Sequence, residues 1–484
     1  MDIANIAVRL VIFTGALVLF DGIACFCAVN APIIKRKAVF YGSWALTAAA
    51  AFVGAAAVGS RDFGRGGAST AVQAFVFTAS LALCLIVILK SVGFDYFQPL
   101  SLTRLSSGLI IAGGCLIYLG SAPAIVFGKS GLFALIFQAG VVLSILIGFI
   151  WRKTQSIGSF ENIDGEPLML FQNGESGYRT FRIPSLIVLN KEVLNEHGGD
   201  FPQDVLLASA EARRNSYHDD GDIDLVAKLS ADGGKSWTSL QVLFKDPDKN
   251  GKAGNPAPVF DKNTGNIHFA MTTDSGGTEV ARGTLGKDLA ISWENRISLE
   301  KMIPGPGKGI QLSSGRLFIP GGGSCVVSDD GGLTWKRGGE AREGECEAVE
   351  LADGELMMVT RFGPDCAKYH PREYQKVSSS ADGGETWFGH RDLPLKTPMC
   401  QSSLTKTSDG TVYLTHPDCF LTRANLAAGI SRDGGETWIV KRLYNGPSGY
   451  SCAAADSNDS VFVLAEIGKV DYNEALVFLK IKQP

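Results

Sequence analysis

A short polar segment near residue 220 carries side chains that could transfer protons. Residues 214–221 separate two strand-like stretches and include the adjacent carboxylates Asp219 and Asp220. Because each negative charge disfavours ionisation of the other, we expect the pair to have raised pKa values, and one carboxyl could then keep a proton for general acid chemistry. The residues alone leave either aspartate open for that role. His218 beside them is interpreted as a solvated loop residue.

A carboxylate and a guanidinium are candidates for a second functional pair. Two strand-like stretches are joined at Ala352-Asp353-Gly354. A three-residue loop with Gly354 in the left-handed region places Glu345 directly opposite Arg361, whereas a two-residue turn would put the two side chains on opposite faces. The alternative interpretation is an exposed cross-strand ion pair worth less than about 1 kcal/mol.

A motif that occurs four times indicates the elements that position these side chains. The four copies are Ser230–Trp237, Ser328–Trp335, Ser380–Trp387 and Ser431–Trp438. Each contains Asp-Gly-Gly, which supplies positive φ angles, while its Asp and hydroxyl side chains can bind backbone amides, so the motif is interpreted as structural. The aspartates lie 98, 52 and 51 residues apart, so we infer a decayed copy in the longest interval, with Trp293 as its remnant. A period of about 50 predicts an all-β six-bladed β-propeller in residues 154–484.

Residues 1–153 differ from the rest of the chain in charge. They carry 11 Lys/Arg and 4 Asp/Glu, a net charge of +7, whereas residues 154–484 carry 34 and 45, a net charge of −11. The first part contains five apolar runs, each longer than the roughly 20 residues that cross a bilayer as a helix, and only the first is interrupted, by Asp21. The runs are Leu10–Ile34, Ala38–Ser60, Gly66–Leu89, Leu105–Gly128 and Ser130–Trp151. We therefore expect an α-helical transmembrane region of about five helices, and a multi-pass integral protein of the lipid bilayer.

The side of the membrane on which the propeller lies is left open. With five spans, seven Lys/Arg fall on one side and four on the other, and the positive-inside rule then places the propeller in the cytoplasm. One span more or fewer reverses that result.

Metal, cofactor and nucleic-acid sites are not indicated by the sequence of the propeller part. Its six cysteines lack a Cys-x-x-Cys pair and the spacing of a zinc site, and they could be buried thiols or disulfides. The glycine-rich segment after Pro320 lacks the Lys-Ser/Thr of a phosphate loop, so it is interpreted as a turn. The net charge of −11 argues against a nucleic-acid partner.

The four repeats are Asp boxes, and residues 167–483 resemble the sialidase (exo-α-neuraminidase) family. Asp boxes also occur in propellers that catalyse nothing, so the function implied by the resemblance depends on other residues. Three arginines stand where the family places those that bind substrate. They are Arg182 in Arg-Ile-Pro, Arg361 after Met-Met-Val-Thr, and Arg423 in Leu-Thr-Arg.

The resemblance also implies roles for four residues outside the arginine triplet. Tyr450 matches the nucleophile, and Glu345 matches the glutamate that polarises it. Asp219 matches the general acid, since it lies five positions before Asp224. Arg213 matches an arginine of the substrate pocket.

These residue types fit the ligand that the resemblance implies. A sialic acid carries a carboxylate on its anomeric carbon, and guanidinium groups bind such a planar anion bidentately. A carboxylate nucleophile would be repelled by that anion, whereas a neutral tyrosine is not, and sialidases are the exception to the two-carboxylate scheme of glycosidases.

The function expected from the resemblance is that of a membrane-anchored exo-α-sialidase. It would hydrolyse terminal α-linked sialic acids of glycoproteins, glycolipids or oligosaccharides with retention, without a metal or cofactor. Three alternatives remain: a non-catalytic sialic-acid-binding propeller, a trans-sialidase that uses the same residues, and a transporter or sensor that works through its helices. Sialylated glycans are mostly extracellular, which opposes the cytoplasmic side favoured by the charge count.

Overall fold

The computed structural model describes most of the chain after residue 157. The segments left out between 158 and 483 are 246–250, 275–276, 300–301, 343, 362–374, 420–422 and 470. The chain divides after Ser156 into two units, and every described residue belongs to the second, Ile157–Pro484. The predicted boundary after Lys153, the five predicted spans and Asp21 lie outside the described residues. Within the described residues, no helix has the length and apolar character needed to cross a bilayer.

Six four-stranded antiparallel sheets form the blades of a propeller in the described part of the chain. Two short strands, β1 (Ser159–Phe160) and β23 (Tyr444–Asn445), pair beside them, and a helix, α1 (Lys191–Glu196), follows the first strand of the first blade. Five of the six junctions between neighbouring blades join innermost strands, including the junction between the sixth blade and the first. Between the third and fourth blades, the second strand of the third contacts the innermost strand of the fourth, so the sheets close into a ring. The predicted six-bladed all-β propeller is confirmed.

Each of the first three blades runs from an innermost to an outermost strand. The first consists of β3 (Thr180–Leu189), β4 (Val205–Arg213), β5 (Ile223–Ser230) and β6 (Gln241–Phe244). The second consists of β7 (Ala253–Phe260), β8 (Ile267–Thr273), β9 (Gly277–Leu285) and β10 (Ile291–Leu299). The third consists of β11 (Ile310–Gln311), β12 (Leu317–Gly321), β13 (Ser324–Ser328) and β14 (Lys336–Arg337).

The remaining blades follow the same order, except that the sixth takes its outermost strand from the start of the unit. The fourth consists of β15 (Glu345–Glu350), β16 (Leu356–Arg361), β17 (Gln375–Ser380) and β18 (Phe388–Asp392). The fifth consists of β19 (Ser403–Lys406), β20 (Val412–Pro417), β21 (Leu426–Ser431) and β22 (Ile439–Arg442). The sixth consists of β24 (Ser448–Ala455), β25 (Val461–Ile467), β26 (Ala475–Lys480) and β2 (Leu168–Gln172). Pairing of β2 with β26 joins the two ends of the unit and closes the ring.

Each Asp box is the hairpin between the third and the outermost strand of a blade. In the third box of the chain, Ser380 donates to Asp382 at 2.8 Å, and Asp382 accepts the backbone N–H of Thr386 at 2.9 Å. Asp382 is exposed, and although slight desolvation opposes its ionisation, hydrogen bonds from the Thr386 hydroxyl, the Thr386 backbone and Ser380 lower its pKa to about 2. The Trp387 ring lies 6.2 Å from Phe318 of the preceding blade. The structural interpretation of the boxes is therefore confirmed.

The second and sixth blades explain why only four complete boxes occur. In the second blade, Trp293 is the third residue of the outermost strand, just after the hairpin position, and Leu289 in that hairpin has a φ of +63°. Trp293 packs 4.7 Å from Phe244 of the preceding blade, as a box tryptophan does. This placement supports the inferred decayed copy. The sixth blade needs no such hairpin because β2 comes from the other end of the unit.

The hydrophobic core lies between the blades. Phe181 and Leu206 of the first blade pack against Phe462 and Leu464 of the sixth, and all four are almost fully buried. Four of the five residues of the outermost strand β18, in contrast, are exposed. The packing therefore fixes neighbouring blades against each other and holds their innermost strands around one axis.

Candidate active site

A hollow of about 770 Å³ lies at the end of the propeller axis where the innermost strands begin. The seven predicted site residues all line it: Arg182, Arg213, Asp219, Glu345, Arg361, Arg423 and Tyr450. They come from strands of three different blades and from two loops, yet they meet in one concave site of the size that binds a small ligand.

Bulges interrupt three innermost strands beside the hollow. They lie between Arg182 and Ser185 in β3, between Gly254 and Ala257 in β7, and between Ser448 and Ser451 in β24. Within the first two bulges, Ile183 and Asn255 have φ angles of +55° and +51°, which residues other than glycine rarely adopt. A bulge redirects the side chains next to it, and here those include Arg182 and Tyr450.

Arg182 is held by a buried carboxylate from the sixth blade. Its Nε donates to Oε1 of Glu466 at 3.0 Å and its Nη2 donates to Oε2 at 3.3 Å. Glu466 is fully buried and also accepts the backbone N–H groups of Ile183 and Tyr450, each at 3.1 Å. Burial opposes the charge of Arg182, but the Glu466 carboxylate outweighs that effect and raises the pKa of the guanidinium. One glutamate thus fixes both a predicted ligand-binding arginine and the strand of the predicted nucleophile.

Glu345, Arg361 and Tyr450 form a hydrogen-bonded triplet. Gly354 has a φ of +84° and Glu345 pairs directly with Arg361 in the strand register, so the predicted three-residue loop is confirmed. Tyr450 donates its hydroxyl proton to the Glu345 carboxylate, whose oxygens lie 2.6 and 2.7 Å away. Arg361 donates to the Tyr450 hydroxyl at 2.5 Å and forms an ion pair with Glu345.

The Tyr450 phenol is neutral in this arrangement. The side chain is almost fully buried, and burial together with the negative charge of Glu345 raises its pKa well above the ordinary value, although Arg361 and Arg423 act in the opposite direction. A neutral hydroxyl that already donates to a carboxylate can become a nucleophile as that carboxylate accepts its proton.

The three arginines converge on the ring of Tyr450. The guanidinium carbons of Arg182, Arg361 and Arg423 lie 5.6, 5.8 and 5.1 Å from its centroid. At these distances each cation is attracted by the negative face of the ring. The resulting cluster of positive charge can bind a planar anion such as a carboxylate.

The acid loop, residues 214–221, brings Asp219 to the hollow. Its Oδ1 lies 2.8 Å from Nη2 of Arg213 and 3.3 Å from Nη1 of Arg182, and its side chain remains 77% exposed. Asp220 is exposed and does not line the hollow, so the geometry favours Asp219 of the two. His218 is exposed, as predicted.

The predicted rise in the pKa of Asp219 is wrong. Partial burial does favour the protonated form, but Arg213, Arg182 and Lys252 together outweigh it and lower the pKa. The prediction considered only the neighbouring Asp220, whereas the charges that decide the outcome come from other strands.

Arg213 lies in the wall of the hollow, but its donors are already engaged. It is 1% exposed, and its five N–H groups point at Glu211, at the carbonyl oxygens of Tyr217 and His218, and at Asp219. The structure therefore uses Arg213 to hold the acid loop. Its predicted contact with substrate stays a prediction.

No group of three or more His, Cys, Asp or Glu side chains in the described ranges is arranged to bind a metal. Five of the six propeller cysteines are free thiols: Cys325, Cys346, Cys400, Cys419 and Cys452. Cys366 lies outside the described residues. The glycine-rich segment forms the tight hairpin between β12 and β13, so its interpretation as a turn is confirmed.

Sequence reasoning missed two residues that complete the site. Glu466 is the single charged residue in the otherwise apolar strand Val461–Ile467, and that isolated charge was a signal of a buried partner. Tyr472 lines the hollow from the loop between β25 and β26, and nothing in its local sequence indicated that position.

A family model and known sialidases match the sequence of this chain. A family model described as BNR repeat-like domain matches residues 204–463, which is 260 of the 484 residues. The chain is 28% identical to a sialidase of Micromonospora viridifaciens over 370 residues, which cover 63% of this chain and 53% of that protein. It is 27% identical to Sialidase-3 of Mus musculus over 405 residues, covering 64% of this chain and 92% of the mouse protein.

A solved structure shares the fold. Trypanosoma rangeli sialidase in complex with sialic acid superposes with a TM-score of 0.52 at 21% sequence identity, covering 65% of this chain and 58% of the other. The chain spans about half the length of the Micromonospora sialidase and most of the length of the mouse protein.

Replacement of Glu466 tests the buried ion pair that supports the site. Glu466→Gln removes the charge that compensates Arg182 and turns an N–H donor towards backbone donors. We expect the free energy of unfolding to fall by about 3 kcal/mol, measured by urea titration of the full chain with tryptophan fluorescence. Glu340→Gln is the control, since Glu340 forms an exposed pair with Arg337 and should cost less than about 1 kcal/mol. Equal effects of the two variants would contradict the assigned role of Glu466.

Proposed function

This chain belongs to the BNR repeat-like domain family, and we propose that it is an exo-α-sialidase, a glycoside hydrolase that removes terminal α-linked sialic acids from glycoconjugates. The observation that carries the proposal is the convergence of three guanidinium groups on one tyrosine whose hydroxyl donates to a carboxylate. Sequence similarity to sialidases along about two-thirds of the chain supports it.

Arg182, Arg361 and Arg423 bind the carboxylate of the sugar in this proposal. Sialic acid carries this anion on C2, the carbon at which the glycosidic bond is broken. Binding the carboxylate therefore places C2 near the Tyr450 hydroxyl, which receives a hydrogen bond from Arg361. Such positioning converts an intermolecular attack into a step within one complex.

The reaction then has two displacements at C2. In the first, the Tyr450 oxygen bonds to C2 while Glu345 accepts the phenol proton, and Asp219 gives a proton to the departing glycosidic oxygen. In the second, Asp219 accepts a proton from water, the water oxygen bonds to C2, and the bond to Tyr450 breaks as Glu345 returns the proton. Two inversions at one carbon give net retention of configuration.

Asp219 must be protonated for the first displacement, although Arg213, Arg182 and Lys252 lower its pKa. A bound carboxylate offsets the charge of Arg182, which lies 3.3 Å from Asp219, and the sugar displaces water from the loop. Both changes favour the neutral form of an aspartate, so substrate binding itself prepares the acid.

A sialic-acid-binding propeller and a trans-sialidase are the alternatives with the same binding residues. Binding alone would not require the hydrogen bond between Tyr450 and Glu345 at the floor of the hollow, which favours an enzyme. Transfer differs from hydrolysis only in the acceptor, and product analysis with an added acceptor sugar distinguishes them.

A transporter or sensor that works through its helices is the third alternative, and cutting the chain after Lys153 tests it. Normal hydrolysis by the remaining part would show that catalysis does not need the helices, which would then serve as an anchor or in a separate task.

We also infer that residues 1–153 anchor the propeller to a membrane as a multi-pass region. The support is the five long apolar runs and the excess of positive charge in that part of the sequence. Sedimentation with membranes after alkaline carbonate extraction tests the anchor, and release into the supernatant would contradict it. Protease protection in sealed vesicles reports the side on which the propeller lies.

Replacement of the nucleophile tests the proposed reaction. Tyr450→Phe removes only the hydroxyl that attacks C2, so turnover of a fluorogenic sialoside should fall by at least about 10²-fold while free sialic acid still binds. Tyr413→Phe is the control, because Tyr413 lies in the core of the fifth blade and outside the hollow. Binding of sialic acid without turnover by the unmodified protein would contradict hydrolysis and favour the binding propeller.

The pH dependence tests the preparation of Asp219 by substrate. In the free enzyme the pKa of Asp219 is lowered, so the protonated acid that the reaction needs is present only at low pH. Because kcat/KM reports the free enzyme, its alkaline limb should therefore lie at low pH. In the complex the pKa of Asp219 is expected to be higher than in the free enzyme, so the alkaline limb of kcat should lie at higher pH than that of kcat/KM.

A nearby cation provides the matched variant for this pH test. Lys252 helps to lower the pKa of Asp219 and donates to its carbonyl oxygen at 3.0 Å. Lys252→Met should therefore move the limb of kcat/KM to higher pH, whereas Lys336→Met, outside the hollow, should not. Coincident limbs for kcat and kcat/KM would contradict the account.

A further inference from the structure

Arg423 differs from the other two arginines in its partners. Arg182 has the carboxylates of Glu466 and Asp219, and Arg361 has that of Glu345. Among the residues that the structure describes, none supplies a carboxylate within ion-pair distance of Arg423. Its described hydrogen-bond acceptors are all neutral groups, and a partly buried cation of this kind needs compensation from dipoles or aromatic faces.

The neutral partners of Arg423 are a carbonyl group and a tyrosine. Nε and Nη2 lie 3.4 and 3.3 Å from the carbonyl oxygen of Met399, and Nη1 donates to the Tyr472 hydroxyl at 3.3 Å. The guanidinium carbon also lies 5.2 Å from the centroid of the Tyr472 ring. Tyr472 therefore contacts Arg423 through both its hydroxyl and its ring.

Tyr472 also reaches a second arginine of the cluster. Its ring centroid lies 5.4 Å from the guanidinium carbon of Arg182, so two like charges share one aromatic ring. The ring can approach because residue 449 is glycine: a Cβ there would lie 2.7 Å from Cδ2 of Tyr472 and 2.2 Å from Oε2 of Glu466. The strand that carries Tyr450 is thus shaped to receive Tyr472.

We propose that Tyr472 is a positioning residue that holds Arg423, together with Arg182, in the orientation that binds the substrate carboxylate. The inference rests on the proposed function and extends it, since Tyr472 acts through the arginines and takes no part in the displacements at C2. The hydrogen bond fixes Nη1 of Arg423, and the ring offsets the repulsion between the two guanidinium groups before a ligand arrives.

The test compares two substitutions of this residue. Tyr472→Leu removes the ring and the hydroxyl and should raise KM for a fluorogenic sialoside about tenfold, with kcat changed less than about threefold. Tyr472→Phe keeps the ring and should raise KM about threefold. Tyr413→Leu, in the core of the fifth blade, is the control for general destabilisation and should leave KM unchanged.

A pair of competitive inhibitors separates positioning of the arginines from a loss of packing. Free sialic acid carries the carboxylate, whereas its methyl ester does not. The wild type should bind the acid more tightly than the ester, and this preference should shrink about tenfold in Tyr472→Leu and about threefold in Tyr472→Phe. Unchanged preferences in both variants, with a wild type that turns over sialoside, would overturn the inference alone. A wild type that neither hydrolyses sialoside nor binds sialic acid would overturn the proposed function and the inference with it.

Discussion

Repulsion between three guanidinium groups is the constraint on which the arrangement of this site depends. Arg182, Arg361 and Arg423 all lie 5.1–5.8 Å from one tyrosine ring, and such a cluster is unfavourable unless other groups compensate its charge. The compensation is uneven. Two of the arginines have carboxylates, while the third has a carbonyl oxygen and aromatic faces. An anionic ligand would compensate the positive charge of Arg423, for which the described residues supply no carboxylate.

The propeller supplies this arrangement because it brings the ends of the unit together. Arg182 lies on the first blade and Tyr450 on the sixth, 268 residues apart along the chain. Closure of the ring by β2 sets the two blades side by side, and Glu466 then bonds to both Arg182 and the backbone of Tyr450. The bulges in β3 and β24 turn the two side chains into the hollow, and in β3 this leaves Ile183 with a strained φ of +55°.

Local patterns in the sequence predict the features that local chemistry determines. The spacing of the Asp boxes gives the blade count, since each box is a self-contained turn that recurs with a period of about 50 residues. The loop with Gly354 gives the register of Glu345 and Arg361 because loop length decides it. Resemblance to a family supplied the other site residues, and they do line one hollow. The sequence did not indicate the direction of the Asp219 pKa shift, since the deciding charges on Arg213 and Arg182 come from other strands. Tyr472 was missed because its partners Arg182 and Arg423 are distant along the chain.

The central claim is that the Tyr450 oxygen forms a bond to C2 of a sialic acid held by the three arginines. The most direct measurement is mass spectrometry of peptides from the protein after reaction with 2,3-difluorosialic acid. Fluorine at C3 disfavours the positively charged transition states, while the fluoride at C2 leaves readily, so the covalent intermediate should accumulate. The account predicts a fluorosialyl adduct on the peptide that contains Tyr450, at that residue. An adduct on Glu345 or Asp219, or hydrolysis with no adduct on the enzyme, would contradict it.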